Sequence, residues 1–530
     1  MSWNYEHARE RILKFDSQAP VVRVERFDTE YMPRLLRERE FARSMGSTAR
    51  EAPPLYDLPD GAAVLVDTAH VYVRAISYDE VRLDRGQETP ASQARGLAFL
   101  GLLYGAGDRV VDGVGAQRVD FHGPRMHAVI AEPAGPGGLA ARVSTALSLA
   151  EDMMALAHGA GREIARDARF PLRFRVGIDV GPCVAINSGR SDEREPMFIG
   201  PAANHAAKLA QGDSEGIFLS DRVRAQFGLR RAFTLNEEKA TAATIDELDA
   251  LQSGGFAVEL AEARTRPRLD QWLDDVRTQR SATLNPAAFQ FHHHTPPLSS
   301  IEYSALSPAN SIRMPLVSIF ADLDRYTAYI DHCMATGCIG DAVRLLHILR
   351  SEFNAVLQED FEGRKVRFIG DCIHGVLAAG TSRTTDLGAT VALATRCAGG
   401  LRSSFQLCQQ VVPDADRLGL AIGFELGETP ITRIGIRGER AVRTATSLAV
   451  RGSEACQRDC NGDETMIGNT AYAQAPTSVR RLFGPGRIAE DLTYDDAAIQ
   501  LSADPLAGLA HGDFGADAAP AHSSSRAHCR

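Results

Sequence analysis

Two aspartates stand out by what precedes them. Asp322 follows Val-Ser-Ile-Phe-Ala and Asp371 follows Val-Arg-Phe-Ile-Gly, so each closes an apolar run of the length and composition of a buried strand. If those strands are neighbours in one sheet, the two carboxylates converge at its edge, and Gly370 allows a tight turn beside them. Convergent carboxylates suit hard, oxygen-preferring cations such as Mg²⁺ or Mn²⁺. Either residue alone reads as an aspartate in a turn; together they read as a metal site. A second feature is the i, i+4 pair Asn204 and Lys208 in the Ala-rich segment MFIGPAANHAAKLA (197–210). That spacing puts an amide and a cation on one helix face. Without context, it is an exposed polar pair on an amphipathic helix.

Other reactive residue types carry less. The nine cysteines are an odd count, eight of them after residue 330. Cys333/Cys338 and Cys456/Cys460 have loose metal-like spacing but no paired CxxC or nearby CxxH, so reduced thiols are expected. The run His292-His293-His294 lies in a Pro/Ser-rich stretch and reads as linker.

The elements that must position these residues recur. VDFHGPRMHAVI (119–130) lies over VRFIGDCIHGVL (366–377) without a gap, sharing Val, Phe, Gly, His and Val. RVGIDVG (175–181) lies over AIGFELG (421–427). VLVDTA (64–69) is aligned with IFADLD (319–324), which sets Asp67 over Asp322. Three matches in one order argue for a duplicated domain. The expected organisation is a helical arm over 1–54, a first domain over 55–264, a connector over 265–314, a second domain over 315–502 and a disordered tail over 503–530. The connector is inferred from Pro267, Pro286, Pro296, Pro297, Pro308 and Pro315 with the His run. The arm's Arg/Glu-rich helix near 30–45, with Tyr31, Leu35, Leu36 and Phe41 on a stripe, offers a contact for a homodimer.

Bulk properties bound the function. The 530 residues suggest three to four domain-sized units. With 58 Lys plus Arg against 68 Asp plus Glu, the net charge is −10, which argues against a nucleic-acid partner. No run approaches the roughly 18 apolar residues of a membrane span. Gly96 to Gly107 comes nearest and stops at Asp108. The charged N-terminal segment is no secretory signal, so a cytoplasmic protein is expected.

FADLDRYTAYID (320–331) with VRFIGDCIHGVLA (366–378) resembles the metal-binding half of a class III nucleotidyl cyclase catalytic domain. RVGIDVGPCVAINSG followed by MFIGPAANHAAKLA is similar to that family's segment ending in a Gly-x-x-x-Asn-x-x-x-Arg helix. The resemblance covers roughly 60–235 and 315–480. It implies an α/β (α+β, ferredoxin-like) fold and two tandem cyclase-like domains pairing as a pseudo-heterodimer. It further implies two metal ions, Mg²⁺ or Mn²⁺, held by Asp322 and Asp371, with Asn204 and Lys208 as the catalytic pair from the first half. Pro124 stands where Asp371 would fall in that half, and Val442/Thr446 or Arg443/Ser447 stand where the second half would need the Asn/Arg pair. Lys208 departs from the family's Arg: it keeps the charge but loses the planar fork. Arg190, Arg194, Arg230 or Arg231 are alternative cations.

In the family's purine cyclases two positions contact the base, four residues before the Gly-Asp aspartate and seven before the Asn. Here they are Asp120 and Met197, unlike the Lys/Asp pair of adenylate cyclases or the Glu/Cys pair of guanylate cyclases. Asp120 can accept from cytosine N4–H or uracil N3–H, and Met197 can pack on either ring. Arg325 or Tyr326 would read the base if Asp120 only ends a strand. The chain also resembles bacterial antiphage cyclases that make cyclic CMP or cyclic UMP. The expectation is conversion of UTP or CTP to the 3′,5′-cyclic monophosphate, a second messenger for a downstream cyclic-nucleotide-sensing effector. The competing readings are an adenylate cyclase with a divergent base pocket and a non-catalytic nucleotide-binding module. A diguanylate cyclase is weaker, since no GGDEF-like signature is present.

Overall fold

The computed structural model describes residues 3–46, 53–164 except 57 and 60, 172–188, 195–231, 266–271 except 269, 286–436 and 441–502. The expected tail and most of 232–285 lie outside the described residues.

The first unit is built on two long strands, β2 (Ala62–Ala75) and β5 (Phe174–Ser188), which pair antiparallel along thirteen positions from Ala63↔Ile186 to Ala75↔Phe174. The hairpin of β3 (Gln117–His122) and β4 (Arg125–Ile130) joins the β2 edge, β6 (Glu195–Ile199) joins β5, and β7 (Gly216–Leu219) pairs parallel with β5. The arm contributes β1 (Arg23–Arg26), parallel to β2. Helices α4 (Pro90–Val114) and α5 (Leu139–Ile164) cover one face, burying Leu97, Leu100, Tyr104, Leu147 and Met153 against Val71, Val73, Phe174 and Val176. The start of α4 is fixed locally. Thr89 and Ser92 form a reciprocal capping box, Pro90 sits where no donor is needed, and Gly115 ends the helix at φ +74°.

The second unit repeats this plan. Its sheet runs β10 (Arg364–Ile369), β11 (Cys372–Leu377), β9 (Ser311–Asp324), β12 (Gly419–Ile434), β14 (Glu464–Ile467) and β15 (Ile488–Glu490), with β13 (Val442–Ala445) on β12 and β8 (Phe291–His292) on β9. After α1 (Tyr5–Gln18), α2 (Met32–Ser44), α3 (Tyr78–Arg82), α6 (Pro201–Leu209) and α7 (Asp221–Gln226) in the first part of the chain, this unit brings α8 (Tyr326–Thr336), α9 (Ile339–Ala355), α10 (Leu387–Val411) and α11 (Leu448–Arg458). The repeat extends to side chains. Tyr72 stacks on His127 at 4.1 Å, and Phe320 on His374 at 4.3 Å.

Strand register corrects one alignment. Val73 lies between Met126 and Val176, and Ala321 lies between Ile373 and Ile422. Segment 71–76 therefore corresponds to 319–324, and the counterpart of Asp322 is Arg74, not Asp67. Strand β2 is largely buried on both faces and Asp67 closes a plausible apolar run, so no alternation in the sequence chooses between registers. The connector also needs correction. Phe289 is buried in the core of the first unit, while Leu298, Ile301, Tyr303 and Leu306 pack on Val366 and Val376 of the second, where the Tyr303 hydroxyl donates to Lys365 O at 3.0 Å. Proline removes donors and fixes φ without preventing burial between hydrogen-bonded segments. The expected helix near 440–456 is β13 followed by α11.

The arm clasps both units. While β1 extends the first sheet, α1 lies on α9 and α10 of the second. Trp3 Nε1 donates to Ser404 Oγ at 2.8 Å. Arg11, buried, forks onto Glu352 at 2.7 and 2.8 Å and reaches Asp360 at 2.9 Å. Removing one partner of such a group leaves buried charge uncompensated. Arg11→Ala should therefore cost about 3–5 kcal/mol of unfolding free energy in urea denaturation; a loss near the scale of an exposed pair would mean that α1 is not held by this cluster.

Candidate active site

The two units meet head to tail. Ala63, Val184, Ile186, Met197 and Ile199 of the first unit enter the core of the second, and Ile434 and Val442 of the second enter the core of the first. The clefts of interest lie along this junction.

Asp322 sits on β9 and Asp371 in the two-residue turn between the paired ends Ile369 and Cys372 of β10 and β11. Since β11 is the direct neighbour of β9, with Ile373 opposite Ala321, the two carboxylates are drawn together as expected. Gly370 opens that turn at φ +61°, a conformation that favours glycine. Both side chains are half-buried. Gln457 Nε2 on α11 donates to Asp322 Oδ2 at 3.3 Å. Burial pushes both carboxyls up, and the charge of Asp371 pushes Asp322 further. Asp371 rises to about 7, with its own backbone N–H and Arg350 opposing the rise. Two carboxylates held partly protonated by burial and mutual repulsion make the electrostatic demand that a divalent cation satisfies. The donor set fits such an ion. Among the described residues no group of three or more His, Cys, Asp or Glu could hold a metal, so remaining positions would fall to water and phosphate oxygens.

From the other unit, Asn204 and Lys208 lie exposed on one face of α6, as their spacing predicts. Asn204 Nδ2 donates to Thr327 Oγ1 in the first turn of α8, five residues after Asp322. The amide of one unit thus meets the helix that follows the strand carrying Asp322 in the other. Helix α6 is anchored from below by Asp179 on β5, fully buried, which accepts from His205 at 3.0 Å and from Ser220 and Arg222. Close approach of α6 to β5 requires Gly177, where a Cβ would meet Ala206 O at 2.2 Å. Arg230 and Arg231 are exposed beyond α7, with no described contact to this cleft, and Arg190 and Arg194 lie outside the described residues.

Asp120 and Met197 do share a pocket, lined also by Arg350, Arg367, Phe368 and Gly370 of the second unit. Arg367 pairs with Asp120 at 2.7 Å and donates to Phe121 O. Tyr326 is instead buried beneath α9, its hydroxyl donating to Ala342 O, and Arg325 is exposed beside Asp324; neither borders the pocket. The sequence reading missed Arg367, Phe368 and Arg350. The first could have been found, because the gapless 119–130/366–377 match sets Arg367 over Asp120. Arg350 carries no such mark beyond being a cation within the apolar stripe of α9.

The duplicated position is different. Gly423 approaches Ser453 O and Gln457 N as Gly177 approaches Ala206 O and Ala210 N, so α11 corresponds to α6. The counterparts of Asn204 and Lys208 are therefore Arg451 and Ala455, rather than Val442/Thr446 or Arg443/Ser447, which lie on β13 and just before α11. With Arg74 and Pro124 in place of the aspartates, the second cleft lacks both functional pairs.

No protein-family model matches the chain. It is 44% identical over 530 residues to a uridylate cyclase of a Rhizobium species, covering 98% of this chain and 99% of that one. It is 38% identical over 460 residues to a uridylate cyclase of Pseudomonas aeruginosa, covering 85% and 86%. Among solved structures, a class III adenylyl cyclase-like ATP-binding protein from Pseudomonas aeruginosa superposes with a TM-score of 0.81 at 34% identity, covering 94% of this chain and all of that one. By full-length identity and by fold, the chain belongs to the uridylate cyclase family of class III cyclase-like proteins.

Proposed function

We propose that the protein converts UTP to 3′,5′-cyclic UMP and pyrophosphate at the single cleft where Asp322 and Asp371 of one unit face Asn204 of the other. The Asn204–Thr327 contact supports this reading, since Thr327 lies in the first turn of the helix that follows the strand carrying Asp322. Asp322 and Asp371 would hold divalent cations, Mg²⁺ or Mn²⁺. Bound there, such ions lower the pKa of a ribose 3′-hydroxyl and neutralise the triphosphate. Asn204 orients the ribose so that its 3′-oxygen is aligned with the α-phosphorus, a contribution of several kcal/mol in well-oriented systems. Lys208, one turn further on the same exposed face, meets charge developing on the phosphate oxygens. Asp120 and Met197 bind the base, and the apolar strand ends of both units exclude water from the floor of the cleft. No described helix is long and apolar enough to cross a membrane. In this reading the enzyme works in the cytoplasm, and its product is a second messenger for a cyclic-nucleotide-sensing effector in antiphage defence. The ATP-binding description of the Pseudomonas aeruginosa structure favours an adenine nucleotide as the second reading.

Incubation with ATP, GTP, CTP and UTP separately, with Mn²⁺ and mass-resolved products, decides between them. Cyclic UMP from wild type, lost in Asp371→Ala and reduced roughly 10²-fold in Asn204→Ala, is expected. Cyclic AMP as the main product would replace this reading with the adenylate one, and no cyclic product from any nucleotide would leave a binding module.

The carboxylate pair also sets a pH dependence of stability. Asp371 is protonated in the folded metal-free protein up to about pH 7 but ionises near 4 when unfolded. Between those values the folded state binds more protons, so the metal-free protein loses stability as pH rises from 4 to 7. Asp371→Asn removes that term. The variant should melt higher than wild type at pH 8 without metal, with the gap closing towards pH 5; equal melting temperatures at pH 8 would show that the carboxylate is not strained.

A further inference from the structure

Beside Met197, the lining of the base pocket includes Arg350 of α9. Arg350 is only 4% exposed, in a helix whose surrounding buried residues are Leu345, Leu346, Ile348, Leu349 and Phe353. Its guanidinium carbon lies 3.8 Å from the centre of the Phe368 ring, and its Nη1 is 3.3 Å from Met197 Sδ. Packing over an aromatic ring restrains the fork of the guanidinium. Phe368 in turn lies two residues before Gly370, at the turn that holds Asp371. The pocket therefore has an acceptor, Asp120, contributed by the first unit and a flat set of donors contributed by the second.

The chemistry of the bases gives this arrangement a meaning. An arginine offers only donors, and an ionised aspartate only acceptors. Uracil presents O4 as an acceptor next to its N3–H donor, whereas cytosine carries an N4 amino donor at the same place and an acceptor at N3. Donor beside acceptor on the protein matches uracil and sets N–H against N–H for cytosine.

Resting on the cyclase reading above, we propose that Arg350 is a specificity-determining residue that donates to the uracil O4 carbonyl while Asp120 accepts from N3–H. Base selection is then shared between the two units, as the phosphate chemistry is. Arg367 acts through Asp120, holding that carboxylate in place, and is a positioning residue.

The test compares wild type with Arg350→Gln and Arg350→Lys, each with its melting temperature recorded. Equilibrium binding of UTP and CTP without divalent metal is measured by calorimetry, and kcat/KM for both nucleotides with Mn²⁺. The expected result is a fall of roughly 10- to 100-fold in the UTP-to-CTP ratio for Arg350→Gln, in binding and in turnover, with a smaller fall for the lysine variant. An unchanged ratio overturns the proposal, whether all nucleotides weaken together, as a phosphate contact would make them, or only the melting temperature drops, as a packing role would. The binding arm separates the two readings. A wild-type protein that selects UTP without cyclising it overturns the proposed function and leaves the role of Arg350 standing. One that binds CTP as well as UTP overturns the role of Arg350.

Discussion

Everything at the candidate site depends on the reciprocal burial of strand ends. Strands β5 and β12 run fifteen and sixteen residues, longer than either sheet needs, and their far ends with β6 and β13 finish inside the neighbouring unit. Val184, Ile186, Met197 and Ile199 are almost fully buried there. At about 1.5–3 kcal/mol for each large apolar side chain removed from water, leaving these ends exposed would cost more than most domains have to spare. Because the exchange is head to tail, it sets the helix that follows β6 against the strand end of β9. Asn204 reaches Thr327 for that reason.

A two-fold junction creates two clefts, and only one carries the two aspartates and the Asn/Lys pair. In the other, the counterparts of the aspartates are Arg74 and Pro124, and charge is satisfied internally. Arg125 pairs with Glu454 at 2.6 Å, Arg451 with Asp79, and Arg82 with both Asp79 and Glu88. Although burial opposes it, Arg125 and His122 hold the Glu454 carboxyl below the ordinary range. The contrast is electrostatic. In the retained cleft burial raises both carboxyls, and the charge of Asp371 raises Asp322 further. In the degenerate cleft Asp79, Glu88 and Glu454 already have guanidinium partners, and two of the pairs, Arg125–Glu454 and Arg451–Asp79, span both units, so this cleft contributes to the junction.

The legible parts of this molecule were those fixed by local physics. Asp322 and Asp371 stand out because each closes an apolar run, with Gly370 at the turn, and adjacent strands bring the two together. Asn204 and Lys208 were recognisable because i, i+4 spacing fixes a common face. The gapless 119–130/366–377 match exposed the duplication. What failed was register and long-range placement. Asp67 and Arg74 lie on one strand, seven residues apart, and only pairing with Met126 and Val176 shows which is the counterpart of Asp322. Prolines between 286 and 315 suggested a linker, yet Pro315 is inside β9, its carbonyl accepting from Thr385 Oγ1 at 2.9 Å. Arg350 sits within a helix pattern, and its stacking on Phe368 depends on two segments that the sequence does not bring together.

The arm shows why two unlike halves in one chain keep a single productive cleft. Helix α1 is latched to the second unit through Arg11, Glu352 and Asp360, while β1 extends the first sheet beside β2. Only residues 19–22 separate these anchors, a span of at most about 14 Å when extended. A link that short keeps the unit receiving α1 next to the unit receiving β1 and makes their separation costly in buried charge as well as apolar area. The first 26 residues therefore help to hold the geometry of the cleft.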